Sequence, residues 1–186
     1  MGELICRPAT PDDIENIMDL ERASFNKFTR ESKGIFLERI ECFSDGFLVL
    51  EDGKTFIGAI SSEIWHRYNI ILRGGFGLGY SIKKRMDMRG GELYISSFAV
   101  LPQYRRMKYG KVLLKVLFEN IMKRYPLVKY VLVLVNERWA DAKTVYLKYG
   151  FCDVRSFDNF FTESDGSKSN GVVMRHDNIL TLYNCI

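Results

Sequence analysis

Residues 130–135, Tyr-Val-Leu-Val-Leu-Val, carry no polar side chain at alternate positions. A strand with one wet face alternates apolar and polar residues, so an unbroken apolar run marks a strand covered on both faces. Cover on both faces calls for other elements above and below a sheet, which is an α/β architecture.

The rest of the chain offers those elements. Residues 4–6 read as a first strand. Thr10 suits an N-cap, Pro11 the first helical position, and Asp12 and Asp13 the first turn of a helix with Ile14, Ile17 and Met18 on one side, ending near Phe25. A second helix over 30–42 spaces Ile35, Phe36, Arg39 and Ile40 for one face. Strands at 47–50 and 55–64 flank Asp52-Gly53, a hairpin signal. Residues 92–100 form the next strand. The helix over 109–124 carries a stripe of Val112, Leu113, Val116, Leu117 and Ile121 and stops before Pro126. A helix over 138–149 ends at Gly150, a C′ glycine. Strands at 151–161 and 172–178 close the chain. Between the hairpin and residue 92, the stretch 66–91 breaks the pattern. Its glycines at 74–79 lack the third Gly of a dinucleotide fingerprint, because Tyr80 follows Gly79, and it reads as a connection or substrate lid. The order β-α-α-β-β-β-α-β-α-β-β predicts one α/β domain over residues 1–186 with a mixed sheet.

Composition narrows the setting. Across 186 residues, 47% are hydrophobic and 27% charged, and no apolar run nears the roughly 20 residues of a membrane helix. With no signal-peptide pattern at the start, a soluble cytoplasmic protein is expected. Cys6, Cys42, Cys152 and Cys185 form no Cys-x-x-Cys pair, so reduced thiols and no metal site are expected. His66 and His176 read as exposed or structural. A net charge of +4 does not by itself call for nucleic acid, and no nucleic-acid partner is expected. The charge is local: Lys83, Lys84, Arg85 and Arg89 form one basic cluster, and Arg105, Arg106, Lys108 and Lys111 another. The first reads as a solvated face. The second lies between a strand and a helix start, where free backbone N–H groups and the helix dipole favour an anion such as a pyrophosphate.

Two motifs meet around that loop. The first is Phe98-Ala99-Val100-Leu101-Pro102 followed by Arg105-Arg106-Met107-Lys108-Tyr109-Gly110. The second is Val145-Tyr146-Leu147-Lys148-Tyr149-Gly150-Phe151, with a closing strand through Val173-Met174-Arg175. In this order and separation they resemble the GNAT superfamily of acetyl-CoA-dependent N-acetyltransferases, most closely over residues 92–151. The resemblance implies a mixed, mostly antiparallel central sheet of about seven strands flanked by about four helices. It implies acetyl-CoA as co-substrate and a primary amine, small molecule or protein N-terminus, as acceptor. The backbone of Arg106, Met107, Lys108, Tyr109, Gly110 and Lys111 would hold the pyrophosphate, with added charge from Arg105, Arg106 or Lys108. Phe98, Ala99 and Val100 would pair with the pantetheine as a strand does.

Tyr146 falls on the family's general acid for the departing thiolate; the alternative is a Tyr packed on its helix. Relatives place a Glu or His base at the positions of Tyr94 or Ser96, and this chain has neither. Glu92 shares a face with Tyr94, Ser96 and Phe98 by strand alternation and is the nearest carboxylate, acting through a water or serving only as a charge at a strand start. Lys108 replaces the first loop glycine and is expected in the right-handed region. Trp139 replaces an Asn and either stacks on the cofactor or covers its helix. Trp65, Tyr68, Phe76 and Tyr80 either line an amine pocket or fill the core. The long 66–91 connection is similar to that of the arylalkylamine and protein N-terminal branches. No thiol stands in a nucleophile context, so direct transfer is expected. The competing class is a non-catalytic module that binds CoA or a partner. A monomer or homodimer is expected.

Overall fold

A computed structural model describes residues 2–66 and 73–186. The expected Tyr68 and part of the 66–91 connection lie outside the described residues. Seven strands form one sheet: β1 (Leu4–Pro8), β2 (Phe47–Asp52), β3 (Thr55–Trp65), β4 (Glu92–Val100), β5 (Tyr130–Asn136), β6 (Cys152–Thr162) and β7 (Lys168–His176), in the spatial order β1-β2-β3-β4-β5-β7-β6. Every pairing is antiparallel except β4 with β5. The helices are α1 (Ile14–Ser24), α2 (Lys33–Cys42), α3 (Tyr109–Arg124), α4 (Ala140–Lys148) and α5 (Ile179–Cys185). The mixed, mostly antiparallel sheet of seven strands is as expected.

Five helices stand where about four were expected, because α5 escapes a periodicity count. At seven residues it is too short to show a stripe, and its start depends on Asn178, whose Oδ1 accepts from the Leu180 and Thr181 N–H groups at 3.0 and 3.1 Å. Burial of Ile179 and Leu182 in the same core as Leu117 and Ile121 of α3 then holds it.

β5 is covered on both faces, as its composition requires. Val131, Val133 and Val135 join the core that α3 fills with Leu113, Leu117, Phe118 and Ile121. Leu132 joins Trp65, Tyr94, Phe157 and Val173 in a separate cluster. On β2 and β3, Val49 and Ala59 meet Ile17 and Leu20 of α1 and Phe36 and Ile40 of α2.

Two irregularities in β4 shape the middle of the sheet. Ile95 pairs with Ser62 while Ser97 pairs with Ser61, so Ser96 is an extra residue, a bulge. The Ser96 hydroxyl donates to the Ser61 carbonyl at 3.2 Å. A bulge reverses the alternation beyond it: Leu93, Ile95 and Phe98 all face the α3 core. Phe98 therefore does not share a face with Glu92 and Tyr94, correcting the expectation from uniform alternation. The second irregularity is a fork. β4 and β5 pair in register only over Glu92–Tyr130 to Ile95–Val133. Beyond that point β4 stays with β3, β5 stays with β7, and the two strands part.

The described end of the 66–91 connection is docked. Ile82 is fully buried, the Gly79 N–H donates to the Glu31 carboxylate at 3.1 and 3.2 Å, and the Ser81 hydroxyl donates to Glu38 at 2.6 Å.

Candidate active site

The fork between β4 and β5 opens into a cavity of about 690 Å³. Its walls come from the diverging strands, the loop before α3, one side of α4 and the α1–α2 region. The Leu101 N–H bonds the Ile57 carbonyl at 2.9 Å. Antiparallel alternation then turns the amide groups of Ala99 toward β3 and those of Phe98 and Val100 toward the fork. Of the three residues expected to pair with a pantetheine, two present backbone groups to the gap. The Val100 carbonyl already accepts from Arg105 Nε at 3.1 Å, so Arg105 braces the strand end.

The loop after β4 presents a row of free backbone donors. Among the described residues, the backbone N–H groups of Arg106, Met107, Lys108, Tyr109 and Gly110 have no acceptor, and all precede or open α3. Consecutive free N–H groups at a helix start form a concave anion site. Arg106 and Lys108 both take positive φ, 65° and 66°. This corrects the expectation of a right-handed Lys108. The N-cap of α3 needs the left-handed region, which explains why a glycine suits the position. Gly110 packs closely instead: a Cβ there would lie 3.0 Å from Phe98 Cζ, so the ring would have to give way.

Left-handed backbone costs a residue other than glycine about 1 kcal/mol, and a β-branched residue more. Lys108→Gly is expected to raise the unliganded melting temperature slightly, and Lys108→Val to lower it by several degrees. Thermal melts of the three proteins check that order. A Val variant as stable as the Lys parent would contradict the assigned strain.

Tyr146 is placed by the way α4 ends. Gly150 has φ 84°, the Phe151 N–H reaches the Tyr146 carbonyl at 3.1 Å, and the Gly150 N–H reaches Leu147 at 3.0 Å. These two bonds make a Schellman stop, and its usual apolar contact is present: the Tyr146 and Phe151 rings lie 5.2 Å apart, edge to face. The Tyr-x-x-x-Gly-Phe spacing thus fixes the tyrosine ring against the cavity wall. No described residue hydrogen-bonds its hydroxyl, and burial pushes the phenol up to about 12, so it stays protonated at neutral pH.

The α1–α2 wall is acidic and mostly buried. Glu21 and Glu31 line the cavity with Arg39, and each is at most 5% exposed. Behind them Glu63, fully buried, accepts from Tyr80 at 2.5 Å and Trp65 Nε1 at 2.8 Å. Arg39 lies between Glu31 (3.4 Å) and Glu63 (3.5 Å). Burial raises the Glu63 carboxyl above its ordinary range. Burial also pushes Glu21 up to about 7, against opposition from the Glu31 N–H, Arg39 and Arg30.

Residues 14–151 match the sequence pattern described as the Acetyltransferase (GNAT) family. The chain belongs to that family. No curated protein matches it. Among solved structures, the loading GNATL domain of CurA from Lyngbya majuscula is similar at a TM-score of 0.78 and 13% identity, with 96% of this chain and 99% of that chain covered. Ard1 from Thermoplasma volcanium is similar at 0.69 and 22%, covering 93% and 96%. Arabidopsis thaliana Naa50, in complex with the bisubstrate analogue CoA-Ac-MVNAL, is similar at 0.68 and 15%, covering 93% and 97%.

In this GNAT chain the cavity collects Tyr146, Phe98, Ala99, Val100, Arg105, Arg106, Lys108, Tyr109, Gly110 and Lys111, all but Met107 of the expected cofactor residues together with the expected acid. Met107 is 56% exposed and does not line it. Glu92 is not brought there either. It lies at the start of β4, where Trp65 and Tyr130 flank it on both sides, and is 1% exposed. Trp139 lines the cavity and packs between Phe25 and Phe161, at ring distances of 6.0 and 5.5 Å. Phe76 and Tyr80 are lining residues, whereas Trp65 is core. Sequence reasoning missed Glu21 and Glu31 as lining residues and Glu63 buried behind them.

Proposed function

We propose that this chain, as one domain, transfers the acetyl group of acetyl-CoA to a primary amine by direct attack on the thioester. The observation that carries this reading is one cavity walled by both a loop of free backbone N–H groups and an unpartnered tyrosine hydroxyl. The loop and its cations would hold the pyrophosphate, and the backbone groups of Phe98 with the Val100 N–H would align the pantetheine in the fork. The thioester would then reach the region of Tyr146, whose phenol donates a proton to the leaving thiolate. Most of the acceleration would come from holding amine and thioester together.

For the acceptor, a smaller cavity of about 430 Å³ adjoins the first, walled by Phe28, Leu78, Phe160 and Phe161. It suits an amine that carries an apolar group, either a small arylalkylamine or a peptide N-terminus. The CoA–peptide conjugate held by Naa50 supports the second class.

Calorimetric titration with acetyl-CoA, paired with a thiol-release assay over small amines and peptide N-termini, tests the reading. Micromolar binding with amine-dependent thiol release is the expected result. Binding without release for any amine would instead identify a non-catalytic CoA-binding module.

A further inference from the structure

Direct transfer needs an acceptor for the proton of the amine, and the strand position where relatives carry a base holds no acid here. We infer that Glu21 is the general base of this site, a role that rests on the acetyl-transfer reading above. Three observations support it. Glu21 lines the same cavity as Tyr146, from a different helix: α1 rather than α4. Its side chain is held: Oε1 accepts the Glu31 N–H at 2.9 Å, which fixes the carboxylate where α1 ends. Its other oxygen, Oε2, receives no hydrogen bond from any described residue, although Glu21 is only 4% exposed. That oxygen keeps accessible surface on the cavity wall, so a cationic or N–H group entering the cavity can reach it.

The proton balance is simple. An acceptor arrives as R–NH₃⁺ and gives one proton to Glu21 Oε2. The neutral nitrogen attacks the thioester carbonyl carbon, and the C–S bond breaks as the tetrahedral adduct collapses. The departing sulfur takes the Tyr146 proton. The nitrogen sheds its second proton, which returns the phenol to its starting state, and Glu21 releases the first proton to solvent. The products are the amide, CoA thiol and one H⁺.

The groups around Glu21 set its working range. Glu31, beside it, disfavours a second negative charge, while Arg39 from α2 and Arg30 from the connecting loop favour it. Arg105 reaches Ser24 one turn further along α1 at 3.4 Å. The neutral phenols of Tyr80, Tyr94 and Tyr146 also line the cavity. With burial dominant, Glu21 changes charge near neutral pH, which suits a base.

The experiment compares wild type with Glu21→Gln on the best acceptor from the thiol-release panel. An acceptor of low basicity, neutral from pH 5 to 9, is included so that its own ionisation does not shape the profile; from it Glu21 takes the proton that the nitrogen releases as it bonds to the carbonyl carbon, and returns it through solvent to the Tyr146 phenolate. Glu21→Gln is expected to lower kcat about 10²-fold or more and to change the affinity for acetyl-CoA less than threefold. Wild-type kcat/KM should fall on the acid side of neutrality, and the variant should lose that limb. Because a raised carboxyl pKa weakens the fold as pH climbs past its ordinary value, the variant should also melt higher than wild type at pH 8 and less so at pH 5. A variant within threefold of wild-type kcat that keeps the acid limb overturns the role of Glu21 and leaves the acetyl-transfer reading standing. Wild type that binds acetyl-CoA but acetylates nothing overturns both. If Glu21→Gln does not fold, Glu21→Ala takes its place, and retention of the acid limb there counts against the assignment in the same way.

Discussion

Tyr146→Phe is expected to lower kcat by about 10²–10⁴-fold, the range in which a positioned general acid contributes, while acetyl-CoA binding and thermal stability change little. The substitution removes very little of the side chain. The ring stays, with its edge-to-face contact to Phe151 and its place in the Schellman stop at Gly150. Only the hydroxyl goes, and no described residue depends on it. Burial pushes that phenol up to about 12, so it is present as a donor throughout the neutral range and adds no alkaline limb below pH 10. The decisive comparison uses two acetyl thioesters. A thiol more acidic than that of CoA leaves without much help, so the deficit of the variant should shrink on an activated thioester. A variant with the same deficit on both would show that Tyr146 positions the substrate rather than protonating the sulfur. Full kcat on the natural thioester would remove it from the mechanism.

What was legible in the sequence is what local chemistry decides. The run at 130–135 announces a doubly covered strand, and Gly150 announces the end of α4, because each depends on residues close in the chain. The row of free N–H groups before α3 was legible for the same reason. What could not be read depends on partners far apart. A bulge at Ser96 costs no unusual residue, yet it reverses the alternation that placed Phe98 beside Glu92. Lys108 takes the left-handed region because α3 starts there, and nothing about a lysine announces it.

The buried acids lie between these two cases. Glu21 follows Ile17 by four positions, Arg39 sits between Phe36 and Ile40 on the apolar stripe of α2, and Glu63 interrupts an apolar strand. Each charge is in phase with core residues. That phase was a usable signal, since charged residues on a buried face are rare unless paired. Which charge pairs with which follows only from the fold.

Arg39→Leu is expected to destabilise the protein by about 3–5 kcal/mol near pH 7, the usual result of removing one partner of a buried charge network. Arg39 is 3% exposed and is the cation between two buried carboxylates, 3.4 Å from Glu31 and 3.5 Å from Glu63. Those separations are long for hydrogen bonds, so the loss is one of charge compensation more than of directed bonds. Its guanidinium also lies 5.3 Å from the Tyr80 ring centroid, and that contact goes too. Without the arginine, the Glu63 carboxyl, already raised by burial, moves further up and is protonated in the folded state. A folded state that binds more protons than the unfolded chain gains stability as pH falls. The deficit measured by urea unfolding should therefore be largest at pH 8 and shrink toward pH 5. Adding Glu63→Gln to the Arg39→Leu background should recover part of the loss at pH 8, because the cost of neutralising that carboxyl on folding is gone, and little at pH 5, where that cost is small. A deficit that is independent of pH, or a double variant no better than the single one, would mean that packing around Tyr80 and Phe36, not charge, is what Arg39 contributes.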